Sequence, residues 1–383
     1  MSATTSQPIF SLAARRTAWV LVAGGLTAFA TGALVQPARA WAAWLTASFF
    51  FLTIALGALL LVALFTLTGA GWSAVVKRVA EGIAGWLPVG SLAMLALVGG
   101  AAVLYPWAEK PALAKGGWLS VPLYAGRMVG FLALWVLLAR AQRRTSLQQD
   151  ADPAQGLHRR QVGLSAAFVI VFGFTFSLAV VDWVVSLDPK WGSTIFGWYN
   201  IGGVLVSGAA ALTLATVTLR RLGLLPAVNE SHLHDLGKLL FALSTLWAYL
   251  WFSQFLLIWY SNIPDEGSWY LRQWRGGWSF LFWLNPILGW LAPFLLLLPR
   301  PAKRDEMSLL RVSVLLLAAH WLDVYMMVAP PVMRDHLGIG AIELGALACV
   351  GGVFHLVVER ALESAPLIPR GDPFLEESLH HHQ

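Results

Sequence analysis

Six ionisable side chains lie within long apolar runs: Arg127, Asp182, His320, Asp323, Glu343 and His355, with Arg311 near the end of one run. Charged groups are costly inside a membrane and are read as functional by default. Three kinds of chemistry fit such a set. The first is structural ion pairing, with Arg127 holding a carboxylate. The second is a proton relay through Asp182, His320, Asp323 and Glu343. His320 and Asp323 stand at i and i+3, so they share one helix face. The third is a metal or haem site, which spacing weakens. A haem held between two helices needs two histidines at one depth. The spans offer only His320 and His355, offset by about 12 Å along a helix rise of about 1.5 Å per residue.

Other chemistries have no footing. The chain contains no HExxH, no Cys/His metal spacing, no Gly-rich phosphate loop and no GxSxG. Its one cysteine, Cys349, makes no internal disulfide and no iron–sulfur cluster, and reads as a small buried apolar residue. His380, His381 and His382 read as a solvated tail rather than a metal site.

These residues must be positioned by helices in lipid. Hydrophobic residues make up 58% of 383 positions and charged residues 12%, about half the charge of an average soluble domain. The expected fold is an all-α polytopic membrane protein forming a single membrane domain. Ten spans are expected at about 17–35, 41–67, 86–105, 120–139, 162–187, 197–219, 239–261, 277–298, 308–329 and 339–358. Arg15-Arg16 followed by an apolar run and Ala38-Arg39-Ala40 mimics a secretory leader. The run from Thr17 to Val35 is longer than a leader needs, so it is taken as the first span.

Lys and Arg set the orientation. One set of loops and flanks holds 17 of them, and the other holds seven: Arg39, Lys110, Lys115, Lys190, Arg272, Arg275 and Arg334. The bias places both termini in the cytoplasm and the turn Asp188-Pro189-Lys190-Trp191 outside. It does not point to nucleic acid, because the basic residues lie between apolar runs. Residues 140–161 read as a flexible cytoplasmic loop and 359–383 as a cytoplasmic tail. Gly202, Gly203, Ser207 and Gly208 suit close helix packing. Many of the 20 tryptophans fall at span ends, and Trp41, Trp86, Trp107, Trp118, Trp191, Trp259, Trp269 and Trp278 are expected as an interfacial belt. Arg127, Asp182, Asp323, Glu343, Gln254 and Tyr260 fall in the outer halves of their spans, with His320 nearer the midplane.

Two stretches are distinctive. One is Asp182-Trp183, Ser186-Leu187-Asp188-Pro189, Lys190-Trp191 and Ser193-Thr194-Ile195-Phe196-Gly197. The other is Trp259-Tyr260-Ser261-Asn262-Ile263-Pro264-Asp265-Glu266. Together they resemble the F subunit of bacterial alternative complex III, a quinol:electron-acceptor oxidoreductase, within the wider polysulfide-reductase-type membrane anchors. The resemblance covers essentially the whole chain. It implies two four-helix bundles, spans two to five and six to nine, flanked by the first and last helices. It implies a bacterial inner membrane and a subunit without cofactor of its own, with a proton path and a quinone site as its roles. Implied partners are a paralogous C subunit, an iron–sulfur B subunit, c-haem A and E subunits, a D subunit and a terminal oxidase. Asp182, Asp188, Lys190, Tyr260, Asn262 and Glu266 sit on the matching motifs, so Asp188, Lys190, Tyr260, Asn262 and Glu266 are expected at a quinone site or outer mouth. Arg127 would hold a carboxylate or a quinone oxygen. A stand-alone ion-coupled transporter and a purely structural assembly subunit are the competing readings. Pro286 and Pro293 break span eight without a counterpart in span four, which weakens the transporter reading.

Overall fold

The computed structural model describes residues 9, 11–110, 113, 117–152, 155–275, 277–334 and 337–382. Lys115, counted above among the outer residues, lies outside them. Among the described residues there are helices and no strand. Ten helices among the described residues are long and apolar enough to cross a membrane: α1 (Leu12–Val35), α2 (Pro37–Thr68), α3 (Gly71–Val98), α4 (Val121–Ala151), α5 (Gly156–Leu187), α6 (Phe196–Arg221), α7 (Glu230–Ser261), α8 (Trp278–Leu297), α9 (Glu306–Met333) and α10 (Ala341–Glu363). The chain is an all-α, multi-pass membrane protein.

Burial sorts these helices. In α2, α6 and α9 most of the apolar window is buried, 78%, 72% and 72%, whereas in α1 the share is 17%. The three buried helices are hydrophobic all round, as a helix with neighbours on every side must be. α2 packs on α6, α9 and α10, and also on α3 and α5, while α4 packs on α5. α6 packs on α7 and α9, and α8 lies against α7 and α9. α1 packs along α10.

Small residues set the closest approach. A Cβ on Gly57 of α2 would collide with the Val204 carbonyl of α6, and one on Gly208 would lie 2.6 Å from the Cα of Gly57. Side-chain-free contact lets the two central backbones meet.

The helices run well past the apolar runs at one end of the molecule. α3 begins at Gly71 rather than near 86, α4 continues to Ala151, and α7 begins at Glu230 rather than near 239. Lys, Arg and Gln end hydropathy but are good helix formers, so the helices do not stop where lipid would. Residues 140–151 are therefore helical, not a flexible loop, and Gln142, Thr145, Ser146 and Gln149 are buried. The residues after α10 are also packed. Lys77 Nζ donates to Asp372 Oδ2 at 2.7 Å, the buried Ser378 hydroxyl donates to the Trp72 carbonyl at 2.6 Å, and His381 Nε2 meets Asp235 Oδ2 at 2.6 Å. His381 thus belongs to a fixed contact rather than to a solvated tail, while His380 is exposed.

At the opposite end a short helix, Pro264–Trp274, lies between α7 and α8. Arg272 of this helix pairs with Asp188, and Trp269 stacks on Trp191 with ring centroids 4.2 Å apart. The expected tryptophan belt holds only in part. Trp118 and Trp259 are exposed, but Trp86, Trp107, Trp191, Trp269 and Trp278 are buried. Their large apolar surface is spent on packing the ends of the helices together.

Candidate functional site

The ionisable residues resolve into separate sites. Asp182, fully buried near the end of α5, is held by Arg127 of α4 in a two-point pair: Nε to Oδ2 at 2.6 Å and Nη2 to Oδ1 at 3.0 Å. Trp118 Nε1 donates to the same Oδ1 at 3.0 Å, and its ring lies under the guanidinium at 4.1 Å. Arg127 Nη1 also donates to the Trp118 carbonyl at 3.0 Å. Both carboxylate oxygens and the cation are committed, which is how a buried charge pair survives. The geometry is that of a structural tie between the loop at Trp118 and the ends of α4 and α5.

Glu343 is likewise paired. Arg39 reaches it with Nε at 2.6 Å and Nη2 at 2.8 Å. Its Oε2 also accepts the Gly340 backbone N–H at 2.8 Å, capping the start of α10. The residue stands at a helix terminus, and Arg39, expected only as a loop cation, is its partner. Neither Asp182 nor Glu343 shares a contact with His320 or Asp323.

Asp323 differs in kind. It is 2% exposed, in the middle of the α9 sequence, and no cation touches it. Its donors are all neutral. Tyr199 of α6 and Asn285 of α8 donate to Oδ1, the latter at 2.7 Å, and Trp247 of α7 donates to Oδ2 at 3.1 Å. Three helices converge to hold one carboxylate. α8 is locally reshaped to allow this. After Pro286 removes a backbone donor, residues Ile287–Leu291 adopt a π-helical turn. Gly289 in that turn faces the Trp247 ring, where a Cβ would lie 2.6 Å from the ring edge.

Beside Asp323 is a small polar cavity shared by Gln254, Tyr270, Gln273 and Asn285. Its space is about 20 Å³, enough for about one water. Gln254 Oε1 and Asn285 Oδ1 are buried there without a protein partner. Buried acceptors are almost always satisfied, so a water with two protons to give fits the chemistry. Trp269, Tyr270 and Gln273 belong to the short helix, so the cavity leads from Asp323 towards that end of the molecule.

His320, one turn before Asp323, has a different polar partner. Its Nε2 lies 2.8 Å from the Thr53 hydroxyl of α2. That hydroxyl gives its proton to the Phe50 carbonyl at 2.8 Å, so it accepts from His320 Nε2–H. Gly203 of α6 makes room for the ring, at 3.0 Å from a would-be Cβ to Cε1. Tyr199 and Gly203 are i and i+4 on α6 and face Asp323 and His320 respectively. The two ionisable groups of α9 thus lie along one α6–α9 seam.

No protein-family model matches this chain, and no curated protein matches it.

Of the residues expected at an outer mouth, Asn262 lines a cavity of about 120 Å³ with Trp259, Tyr270 and Trp274. Lys190 and Tyr260 are exposed. Asn262 ends α7 in a left-handed conformation (φ 47°), its N–H on the Ile258 carbonyl at 3.2 Å. Glu266 sits in the first turn of the short helix, where a carboxylate favours the helix N-terminus. Arg311 is exposed, and His355 lines a separate, mainly apolar cavity near Phe50 and Phe354. Among the described residues no group of three or more His, Cys, Asp and Glu could hold a metal ion. Tyr199, Trp247, Asn285 and Thr53, which build the site around α9, are uncharged. A search for ionisable residues passes over them. Two in-span amides were the available signals: Gln254, which lines the Asp323 cavity, and Asn285, next to the helix breaker Pro286.

Proposed function

We propose that this chain is a membrane subunit of a quinol:electron-acceptor oxidoreductase related to alternative complex III, and that it carries protons through Asp323. One observation supports the proton role above the others: a buried carboxylate held only by neutral donors, beside a water-sized polar cavity. Asp182 and Glu343 have arginine partners, and Asp323 has neutral donors only. A group held this way changes protonation without leaving an arginine unpaired, which is what a relay requires. His320, on the same seam, is the second member. Asp182, Arg127 and Glu343 serve as structural ties in this reading rather than as relay members.

The two motifs that carry the resemblance also find a role. Asp188 with Arg272, and Trp191 with Trp269, fasten the α5–α6 turn onto the short helix. Tyr260, Asn262 and Lys190 remain on the surface, where they would meet extracytoplasmic partners. The packing of α2 with α3 and α5, and of α6 with α7 and α9, supports two four-helix bundles flanked by α1 and α10. The excess of Lys and Arg at the other end supports cytoplasmic termini in a bacterial inner membrane. In this reading haem c and iron–sulfur clusters belong to partner subunits. A quinone does not fit the Asp323 cavity at about 20 Å³, so its site, if in this chain, lies elsewhere.

The competing reading is a stand-alone transporter, for which an interrupted helix near the binding site is a known feature; in α8 the interruption is a π-helical turn next to Asp323. Purification from native membranes separates the two. A complex subunit brings haem-bearing partners with it, and a transporter comes alone or with its own copies. Recovery of the chain alone in mild detergent would sink the complex reading.

A further inference from the structure

The cavity that holds His355 lies between α2, α6, α9 and α10 and measures about 430 Å³, within the range of about 300–1,000 Å³ for small-molecule sites. Phe51 and Phe354 form one wall, their ring centroids 4.9 Å apart, and Leu214, Ala215 and Leu317 form another. All five are half-buried, so the cavity is open on the side where lipid lies. Along α10 its lining runs from Phe354 to Leu362, roughly 12 Å at about 1.5 Å per residue. The hydrocarbon of one leaflet is about 15 Å deep. Its polar members are engaged within the protein. Thr218 Oγ1 donates to the Leu214 carbonyl at 2.7 Å, Glu359 accepts Arg15 Nε at 3.0 Å, and His355 also has a partner. The walls therefore suit an apolar chain.

The rim adds a charge. Leu214, Thr218 and Arg221 fall at i, i+4 and i+7 on α6, one face of the helix, so Arg221 stands at the mouth of the cavity at the basic end. It is weakly committed there. Glu306 of α9 is shared by two arginines: Arg220 pairs with Oε1, while Arg221 Nε is 3.7 Å from Oε2. Arg221 Nη1 instead lies 2.8 Å from the Met307 thioether, a weak acceptor, and its side chain is about half exposed, at 49%. On the other side of the mouth Arg15 holds both Glu359 and Glu363. At this end α1, α6, α9 and α10 together carry six arginines and three glutamates. The balance favours an anion at the mouth.

We infer that this cavity binds one anionic phospholipid from the leaflet at the basic end. An acyl chain fills the cavity along α6 and α10, and the phosphate sits on Arg221, whose planar fork matches phosphate oxygens. The inference needs only the multi-pass fold and stands apart from the proton role of Asp323.

The test uses the purified full-length protein, stripped of lipid in detergent and titrated with dioleoyl phosphatidylglycerol or dioleoyl phosphatidylcholine, with bound lipid counted by native mass spectrometry. One phosphatidylglycerol should bind at least about tenfold more tightly than phosphatidylcholine. Arg221→Gln should remove that preference, and Ala215→Phe, which fills the cavity, should weaken both lipids. Ala215→Leu serves if Ala215→Phe does not fold. Equal binding of the two lipids, or an unchanged preference in Arg221→Gln, overturns the inference. Inorganic phosphate should not displace the lipid, and displacement by it would reduce the site to a bare anion site and overturn the role of the chain. Co-purification of a prenyl quinone in the cavity in place of phospholipid would also overturn it.

Discussion

Three buried carboxylates of this protein differ in what holds them. Asp182 and Glu343 each face an arginine through two hydrogen bonds, so removing the cation strands a buried charge. Arg127→Ala and Arg39→Ala are each expected to destabilise the protein by about 3 kcal/mol, within the range for breaking a buried pair. Thermal unfolding in detergent measures the loss. The double change Arg127→Leu with Asp182→Leu should recover much of it, because no unpaired charge remains. Asp323→Asn should cost far less, about 1 kcal/mol, since it removes charge without orphaning a cation and Tyr199 retains an acceptor. Gly203→Ala tests the histidine. The added methyl would sit 3.0 Å from His320 Cε1 and should push the ring off Thr53, lowering stability by about 1–2 kcal/mol.

At the scale of elements, hydropathy reports lipid contact, and for that reason all ten spans were legible from composition and run length. Helix ends were not legible, because Lys77, Arg78, Gln142 and Arg143 continue a helix outside lipid. The grouping of site residues was also hidden. Counting residues along a span gives height in the membrane but not direction around the helix. Asp182, Glu343 and Asp323 all count to the outer halves of their spans, yet they face three different sets of neighbours. The tryptophans marked a belt only in part for a related reason, since the same amphipathic ring anchors an interface or fills a core. The π-helical turn at Ile287–Leu291 offers a test at this scale. Gly289→Ala would press a methyl into Trp247, 2.6 Å from its ring edge. Loss of the Trp247 hydrogen bond to Asp323 should appear as a shift in indole absorption or fluorescence, accompanied by slower proton transfer. A shifted spectrum with unchanged transfer would separate Trp247 from the relay.

Over the whole molecule, the two ends are built differently. One end is closed by aromatic stacking and the Asp188–Arg272 pair. The other is laced by residues 365–382 across α3, α4 and α7, through Asp372, Ser378 and His381. Gly371 lies directly on the Gln149 carbonyl, with no room for a Cβ. Limited carboxypeptidase digestion of the native protein should therefore stall near the described C-terminal residues. Asp372→Ala should speed trimming and lower thermal stability, and rapid trimming of the unaltered protein would contradict the lacing. Proton release by the purified complex during quinol oxidation tests the proposed role of Asp323 most directly. Asp323→Asn should abolish or strongly slow that release while Asp182→Asn, though less stable, retains it. Equal release from the Asp323→Asn and unaltered complexes would contradict the account.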